Sequence, residues 1–307
     1  MKSVIVQAHP LRCKIVDVPV PQPGPQEVLI KVTYCASNPR DWKAPDHLIP
    51  GEDINQGNEM SGVIEAVGSA VYEFRKGGRV VAAHPIQTAN GTYAEYATAP
   101  VNTCSTTANH LRWIFVIGAY SLKLAKLGRF TKIIAVCGSG RDYVESIGAV
   151  THFVDYRKAN LVNDLKTALD GEKCFHAVDA INNGTSWNHL VAVLEPEGSR
   201  MSVYLPRLDY TSIPTQITVG VTFIGTVHGQ PTPYSNKKYE EDVDFAYSLF
   251  RLAGKWLAEG KITSHPYQLL PNGLASVENG LQQLKDGNIC ARKLIYRVTD
   301  TPGLDCV

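Results

Sequence analysis

Short runs in which apolar and polar residues alternate dominate the first third of the chain: KSVIVQA, KIVDVPV, EVLIKVTYCA, SGVIEAVG and GRVVAAH. A period of two turns one face of each run inward, so each predicts a strand. PQPGPQ, GSAV and RKGG between them supply Gly and Pro turn chemistry, and GTYAEYATAP adds another strand. Many short strands with turn signals predict a small β-barrel over residues 1–104.

The pattern changes over residues 105–265. AYSLKLAKL has helical spacing, KIIAVCG reads as a buried strand, RDYVESIGA as a short helix and HFVDY as a strand. LVNDLKTALDG predicts a helix, FHAVDAI a strand, SWNHLVAVLEPEG a helix ending at Gly198, and SRMSVYL a strand. Strand and helix in strict alternation predict a parallel sheet covered on both faces, a Rossmann-like α/β domain. VDFAYSLFRLAGKWLAEGKI follows as a long amphipathic helix. Residues 266–307 predict a helix and a closing strand that returns to the β-domain.

Composition narrows the function classes. With 307 residues, 44% apolar and 19% charged, the chain is a globular protein of about two domains. A formal charge of +1 without a basic block predicts no nucleic-acid partner and no membrane-surface partner. The apolar runs are too short to span a bilayer, and MKSVIVQAHP lacks a signal-peptide core, so a cytoplasmic protein is expected. The seven cysteines are odd in number, scattered and never paired as CxxC. Reduced thiols, several of them buried, are expected rather than a disulfide framework or a structural zinc.

Six segments in order carry a resemblance: PGPQEVLIKVTYCASNPRDWK, GNEMSGVIEAVGSAVYEFRKGGRV, GTYAEYA, GSGRDYVESIGAVTHFVDYRK, HAVDAI and GLQQLKDGNICARKLIYRV. The chain resembles the medium-chain dehydrogenase/reductase superfamily, in its zinc-free quinone reductase and fungal trans-acting enoyl reductase branch. The resemblance implies a GroES-like barrel followed by a Rossmann domain. Zinc-dependent members place Cys-His where this chain has Ser37-Asn38, and His-Glu where it has Asn58-Glu59. Two expected ligands are thus replaced by residues that bind zinc poorly, and none of the nine histidines forms HxH or HxxxH. No zinc is expected.

The resemblance also implies site residues. Asn38, in NPRDWK, would orient a carbonyl or the nicotinamide ribose, and Lys43 would stabilise an enolate oxygen; a simple turn remains the alternative reading. Tyr93 is a candidate proton donor. In GSGRDYVESIGA, Ser139 and Arg141 can hold a phosphate oxygen, and no carboxylate stands at the strand tip to claim a ribose hydroxyl, which favours NADPH over NADH. Tyr156 matches a tyrosine near that phosphate, and Lys293 is placed with the cofactor. The alternative reading is an ordinary Gly-rich turn with a surface Arg.

One family segment is missing. Ile117-Gly118-Ala119 stand where relatives end their Gly-rich turn, but bulky Arg112-Trp113-Ile114-Phe115 precede them. One βαβ unit, roughly 30 to 45 residues, is lost relative to family expectation. Residues 111–127 read equally as strand, minimal turn at Gly118 and helix, or as one continuous apolar helix. Two functions stay open. One is an NADPH-dependent, zinc-independent reductase of an activated C=C bond. The other is a non-redox enzyme or inactive scaffold for a hydrophobic, polyketide-like substrate. A homodimer formed near TFIGTVHG is expected.

Overall fold

The computed structural model describes residues 1–7, 9–47, 54–107, 116–204, 208–230 and 239–304. The elements run β1 (Lys2–Gln7), β2 (Arg12–Asp17), β3 (Glu27–Ala36), α1 (Pro39–His47), β4 (Ile54–Asn55), β5 (Glu59–Val67), β6 (Arg79–Ala83), β7 (Tyr96–Pro100) and β8 (Cys104–Thr106). Then come α2 (Ile117–Leu127), β9 (Ile134–Val136), α3 (Arg141–Ser146), β10 (His152–Val154), α4 (Leu161–Leu169), β11 (His176–Asp179), α5 (Trp187–Val191), β12 (Arg200–Val203) and β13 (Thr218–Val221). The chain closes with α6 (Glu240–Ala258), β14 (Tyr267–Leu270), α7 (Val277–Lys285) and β15 (Lys293–Arg297). No helix of the described residues is long and apolar enough to cross a membrane.

Two compact units result. The first comprises residues 1–115, 227–229 and 239–307; the second comprises 116–226 and 230–238. In the first unit a seven-stranded path β14-β15-β3-β5-β6-β8, with β7 also on β3, stands beside a small sheet β2-β1-β4. Alternation in β3 and β5 buries Val28, Ile30, Val32 and Ile64 in one core with Val4, Val6, Leu281 and Tyr296. This is the expected barrel, joined as expected by the C-terminal strand, since β15 pairs antiparallel with β3.

The expected boundary at residue 265 is corrected. Helix α6 belongs to the first unit: Ala246 and Phe250 pack with Val81 and Ala83 of β6. Arg251 fixes it there, donating to Glu73 Oε1 at 2.6 Å and to the carbonyls of Val101 and Cys104, and stacking on Tyr247 at 3.6 Å. An amphipathic helix fits either kind of partner, and side-chain chemistry at one arginine decides which.

The second unit is α/β, as expected, with every strand pair parallel. Its described strands form two groups, β10-β9 and β11-β12-β13. In the doubly wound order 3-2-1-4-5-6, these are positions 3-2 and 4-5-6. Among the described residues no strand fills position 1, which is the position the sequence reads as lost or remodelled. Val116 is extended (φ −135°, ψ 110°) and α2 begins at Ile117, which excludes one continuous helix over 111–127. Arg112, Trp113, Ile114 and Phe115 lie outside the described residues.

Two further expectations are corrected. The helix predicted to reach Gly198 ends at Val191, and Leu194 instead bridges to Cys174 in the parallel sense beside β11. TFIGTVHG is no strand: Ile224–His228 is a 3-10 helix, and the last strand of the sheet is β13. Cys35 and Cys104 are buried free thiols, as read from composition.

Candidate active site

NPRDWK is a helix start rather than a simple turn. Pro39 takes the first helical position, where its missing N–H costs nothing. Asp41 Oδ2 reaches back to accept the Asn38 backbone N–H at 2.8 Å, half of a capping box. The same oxygen accepts the Tyr93 hydroxyl at 2.7 Å. Ser37 Oγ lies 2.8 Å from Tyr93 Oη and 2.6 Å from Tyr296 Oη. Tyr296 can sit so close to α7 only because residue 280 is Gly: a Cβ there would stand 2.0 Å from its hydroxyl. The network therefore fixes the end of β3, the start of α1, the bend at Tyr93 and β15 to one another.

This geometry decides the role of Tyr93. Its side chain is fully buried, and burial with the neighbouring Asp41 carboxylate holds its pKa well above the usual tyrosine value. A phenol so placed is a structural hydrogen-bond donor rather than the proton donor the sequence suggests. Burial also raises Asp41, whose Oδ1 has no hydrogen-bond partner among the described residues.

Lys293 does not face a phosphate. Its ammonium donates to Asn38 Oδ1 at 2.5 Å and lies 3.0 Å from Glu59 Oε2, with the two charged side chains only 6% and 8% exposed. Glu59 also accepts from Asn38, so both ends of that amide are engaged. Burial raises the Glu59 pKa against the pull of Lys293. Asn38 is thus held by an ion pair that sequence spacing gave no means of finding. Lys43 is exposed and rests 5.3 Å over the Trp42 ring.

Asn58, the other position where a zinc ligand would be required, is engaged as Ser37 is. Asn58 Nδ2 donates to the carbonyls of His84 and Pro85, and its Oδ1 accepts from Arg40. Among the described residues no group of three His, Cys, Asp or Glu could hold a metal ion.

In the second unit, Gly138, Ser139 and Arg141 follow β9, and the Tyr156 ring covers the turn. A Cβ on Gly138 would stand 2.7 Å from Tyr156 Cε1, so glycine is what admits the ring. Ser139 and Arg141 are exposed, and the Arg141 guanidinium stacks 4.8 Å over Phe153 of β10. Tyr156 is 58% exposed. These residues stand at the carboxyl ends of β9 and β10, the end of such sheets where ligands bind.

Gly118 is not a turn residue. It is the second residue of α2, whose start has no side-chain cap. Its ideal Cβ would lie 3.6 Å from Ala180 Cβ, so the helix start stands by the loop after β11. Asp179 shapes that loop: Oδ1 accepts the Ile181 and Asn182 amides at 3.0 Å, and Oδ2 accepts Ser186 Oγ at 2.5 Å. Asn182 takes a left-handed φ of 46° and ties Tyr204 N with its Oδ1 at 2.5 Å. A helix start without a side-chain cap suits a pyrophosphate, and the exposed turn with Arg141 suits the adenosine phosphate, so these residues fit a dinucleotide.

Residues 24–109 match the alcohol dehydrogenase GroES-like domain. A trans-enoyl reductase of Gibberella fujikuroi is 28% identical, aligned over 88% of this chain and 91% of that protein. Trans-enoyl reductase FMN2 of Fusarium mangiferae is 25% identical over 96% and 98%. A quinone oxidoreductase of Pseudomonas syringae shares the fold, with TM-score 0.71 at 17% identity over 96% and 99% of the two chains. On the barrel, the split parallel sheet and these relatives, the chain is similar to the medium-chain dehydrogenase/reductase superfamily and, within it, to enoyl reductases.

Proposed function

We propose that the protein is an NADPH-dependent, zinc-independent reductase of an activated C=C bond in a hydrophobic acyl or quinone substrate. The observation that carries the cofactor choice is the turn after β9, where Tyr156 packs on Gly138 and Arg141 stands exposed on Phe153. An exposed guanidinium beside a hydroxyl matches a 2′-phosphate, and no carboxylate occupies the tip of β9. The related trans-enoyl reductases support the reaction class.

When bound, the reduced nicotinamide supplies a hydride. The chain's own residues do the rest. Ser139, Arg141 and Tyr156 hold the adenosine phosphate, and the first amides of α2, Gly118 among them, meet the pyrophosphate. The Glu59–Lys293 pair keeps Asn38 in one orientation.

Titration with NADPH and NADH tests the reading. Arg141→Ala should weaken NADPH by about 1.5–3 kcal/mol, the range for hydrogen bonds to charged groups, and leave NADH nearly unchanged. Equal losses would show that Arg141 does not read the phosphate. Absence of NADPH oxidation with an enoyl thioester or a quinone would remove the reductase assignment.

A further inference from the structure

The carboxyl end of β10 carries a carboxylate with a single partner. Asp155 follows Val154 directly, and Arg157 stands two residues on. Arg157 fills both oxygens of that carboxylate: its backbone N–H and its Nε donate to Oδ1 at 3.0 and 2.8 Å, and Nη2 donates to Oδ2 at 2.5 Å. Among the described residues every hydrogen bond to the Asp155 side chain comes from Arg157. Fork-on-fork contact of guanidinium and carboxylate adds direction as well as strength. The Arg157 side chain also holds the Asp155 carboxyl well below the usual carboxylate range, so it is ionised.

The pair stands beside the turn after β9. Cys137 N donates to Val154 O at 2.9 Å, so the parallel ladder of β9 and β10 runs to the residue before Asp155. Tyr156, between the two charged residues, lays its ring on Gly138. Phe153 and Asp155 are two residues apart at a strand end, which puts them on one side of the sheet, and the Arg141 guanidinium lies 4.8 Å over the Phe153 ring. The Arg141 amide in turn donates to Gly138 O at 3.2 Å. Residues 137–141 and 153–157 thus form one surface, and it is open. Ser139 and Arg141 are exposed, and the Arg157 and Asp155 side chains are 56% and 26% exposed.

We propose that Arg157 masks the Asp155 carboxylate and thereby sets the choice of NADPH over NADH. The inference rests on the cofactor reading above and names the residue pair that enforces it. The tip of β9 has no carboxylate, but the tip of β10 has one, and uncovered it would do two things. It would repel a 2′-phosphate, and it would accept a ribose hydroxyl, the contact by which a carboxylate selects NADH. Clamped by Arg157 it does neither, because both oxygens are filled and the pair is neutral. Arg141 remains the cation that meets the phosphate. Specificity at this surface therefore has two parts, an attraction at Arg141 and a repulsion silenced at Asp155.

The test compares two adenosine fragments that differ only in the 2′-phosphate, adenosine 2′,5′-bisphosphate and adenosine 5′-monophosphate, titrated calorimetrically at low and at high salt. Wild type should prefer the bisphosphate. Arg157→Leu should weaken the bisphosphate by about 10-fold or more at low salt and by less at high salt, where the uncovered carboxylate is screened. The monophosphate should bind that variant as well as wild type or better. Adding Asp155→Ala to Arg157→Leu should regain most of the loss, since the repelling charge is gone. No preference in wild type, an unaltered bisphosphate affinity in Arg157→Leu, equal losses for both fragments, or a double variant no better than Arg157→Leu would each overturn the proposal. The last result would make Arg157 a direct phosphate contact instead. NADPH oxidation with the N-acetylcysteamine thioester of 2-hexenoic acid is followed in parallel. The masking pattern without any oxidation would sink the reductase reading and leave the mask standing. Oxidation by wild type with an unchanged NADPH KM in Arg157→Leu would overturn the mask and leave the reductase reading intact. Binding of neither fragment to wild type would overturn both.

Discussion

Replacing Lys293 by Met strips a cation from the core while keeping most of its volume. At 3.0 Å and an effective dielectric near 20, its attraction to Glu59 is about 5 kcal/mol. Desolvating both ions offsets most of that, so the intact pair adds little net stability. Removing one partner is a different matter. Glu59 would keep its burial and lose its counter-charge, and Asn38 Oδ1 would lose its donor at 2.5 Å. The expected loss is about 3–5 kcal/mol.

The pH dependence of that loss follows from Glu59. Its folded pKa is already raised by burial, and losing Lys293 raises it further. A carboxyl with a raised folded pKa holds its proton more readily when folded. Its contribution is complete below the ordinary carboxylate range and is lost as pH rises through the folded value. The Lys293→Met deficit should therefore be larger at pH 8 than at pH 5. Adding Glu59→Gln removes the stranded charge, so the double variant should recover at least about 2 kcal/mol relative to the sum of the single losses. Urea unfolding of the four proteins, followed by circular dichroism with midpoints and slopes compared, measures this. A single-variant loss under about 1 kcal/mol at pH 8, or strict additivity, would refute the description of Lys293 and Glu59 as a buried, coupled pair.

Asp41→Asn should flatten the decline in stability between pH 5 and pH 8. Burial raises the Asp41 pKa against the pull of Arg40 and Lys293, and its partnerless Oδ1 leaves room for an amide nitrogen. Some slope should persist from Glu59, and an unchanged urea-midpoint profile would count against the assignment. Gly138→Val should push the exposed Tyr156 ring off the turn and weaken NADPH at least as much as Tyr156→Ala does, with stability altered by less than about 1 kcal/mol. Unchanged NADPH affinity in Gly138→Val would show that the ring's seat is irrelevant to the cofactor.

Alternation of period two in KSVIVQ and EVLIKVTYCA is visible in the sequence because one face of each strand is buried. The parallel strands of the second unit are likewise legible as short apolar runs between helices. Other features depend on partners far along the chain. Lys293 reads as a cofactor ligand until Glu59 and Asn38 are brought to it. Tyr93 reads as an acid until Ser37, Asp41 and full burial are seen around it. Asn-Pro signals a turn, and only the Asp41 carboxylate returning to Asn38 N marks it as a helix start. Ser139, Arg141 and Tyr156 are close in sequence and attached to one strand pair, which is why that cluster could be read in advance.

Strand β15 has a consequence for biosynthesis. Residues 34–36 of β3 are paired by a strand made after all of residues 116–226, and Tyr296, fully buried among the first strands, arrives with it. Until then the nascent barrel lacks the pairing at the end of β3 and has a hole in its core, while all of residues 116–226 have already emerged. The second unit is in effect an insertion that can mature first, and the barrel around it completes only once β15 has been made. Contacts so distant in sequence favour slow closure. A fragment ending near residue 104 should then be an aggregation-prone half-barrel with the end of β3 unpaired on its β15 side, rather than a separable domain.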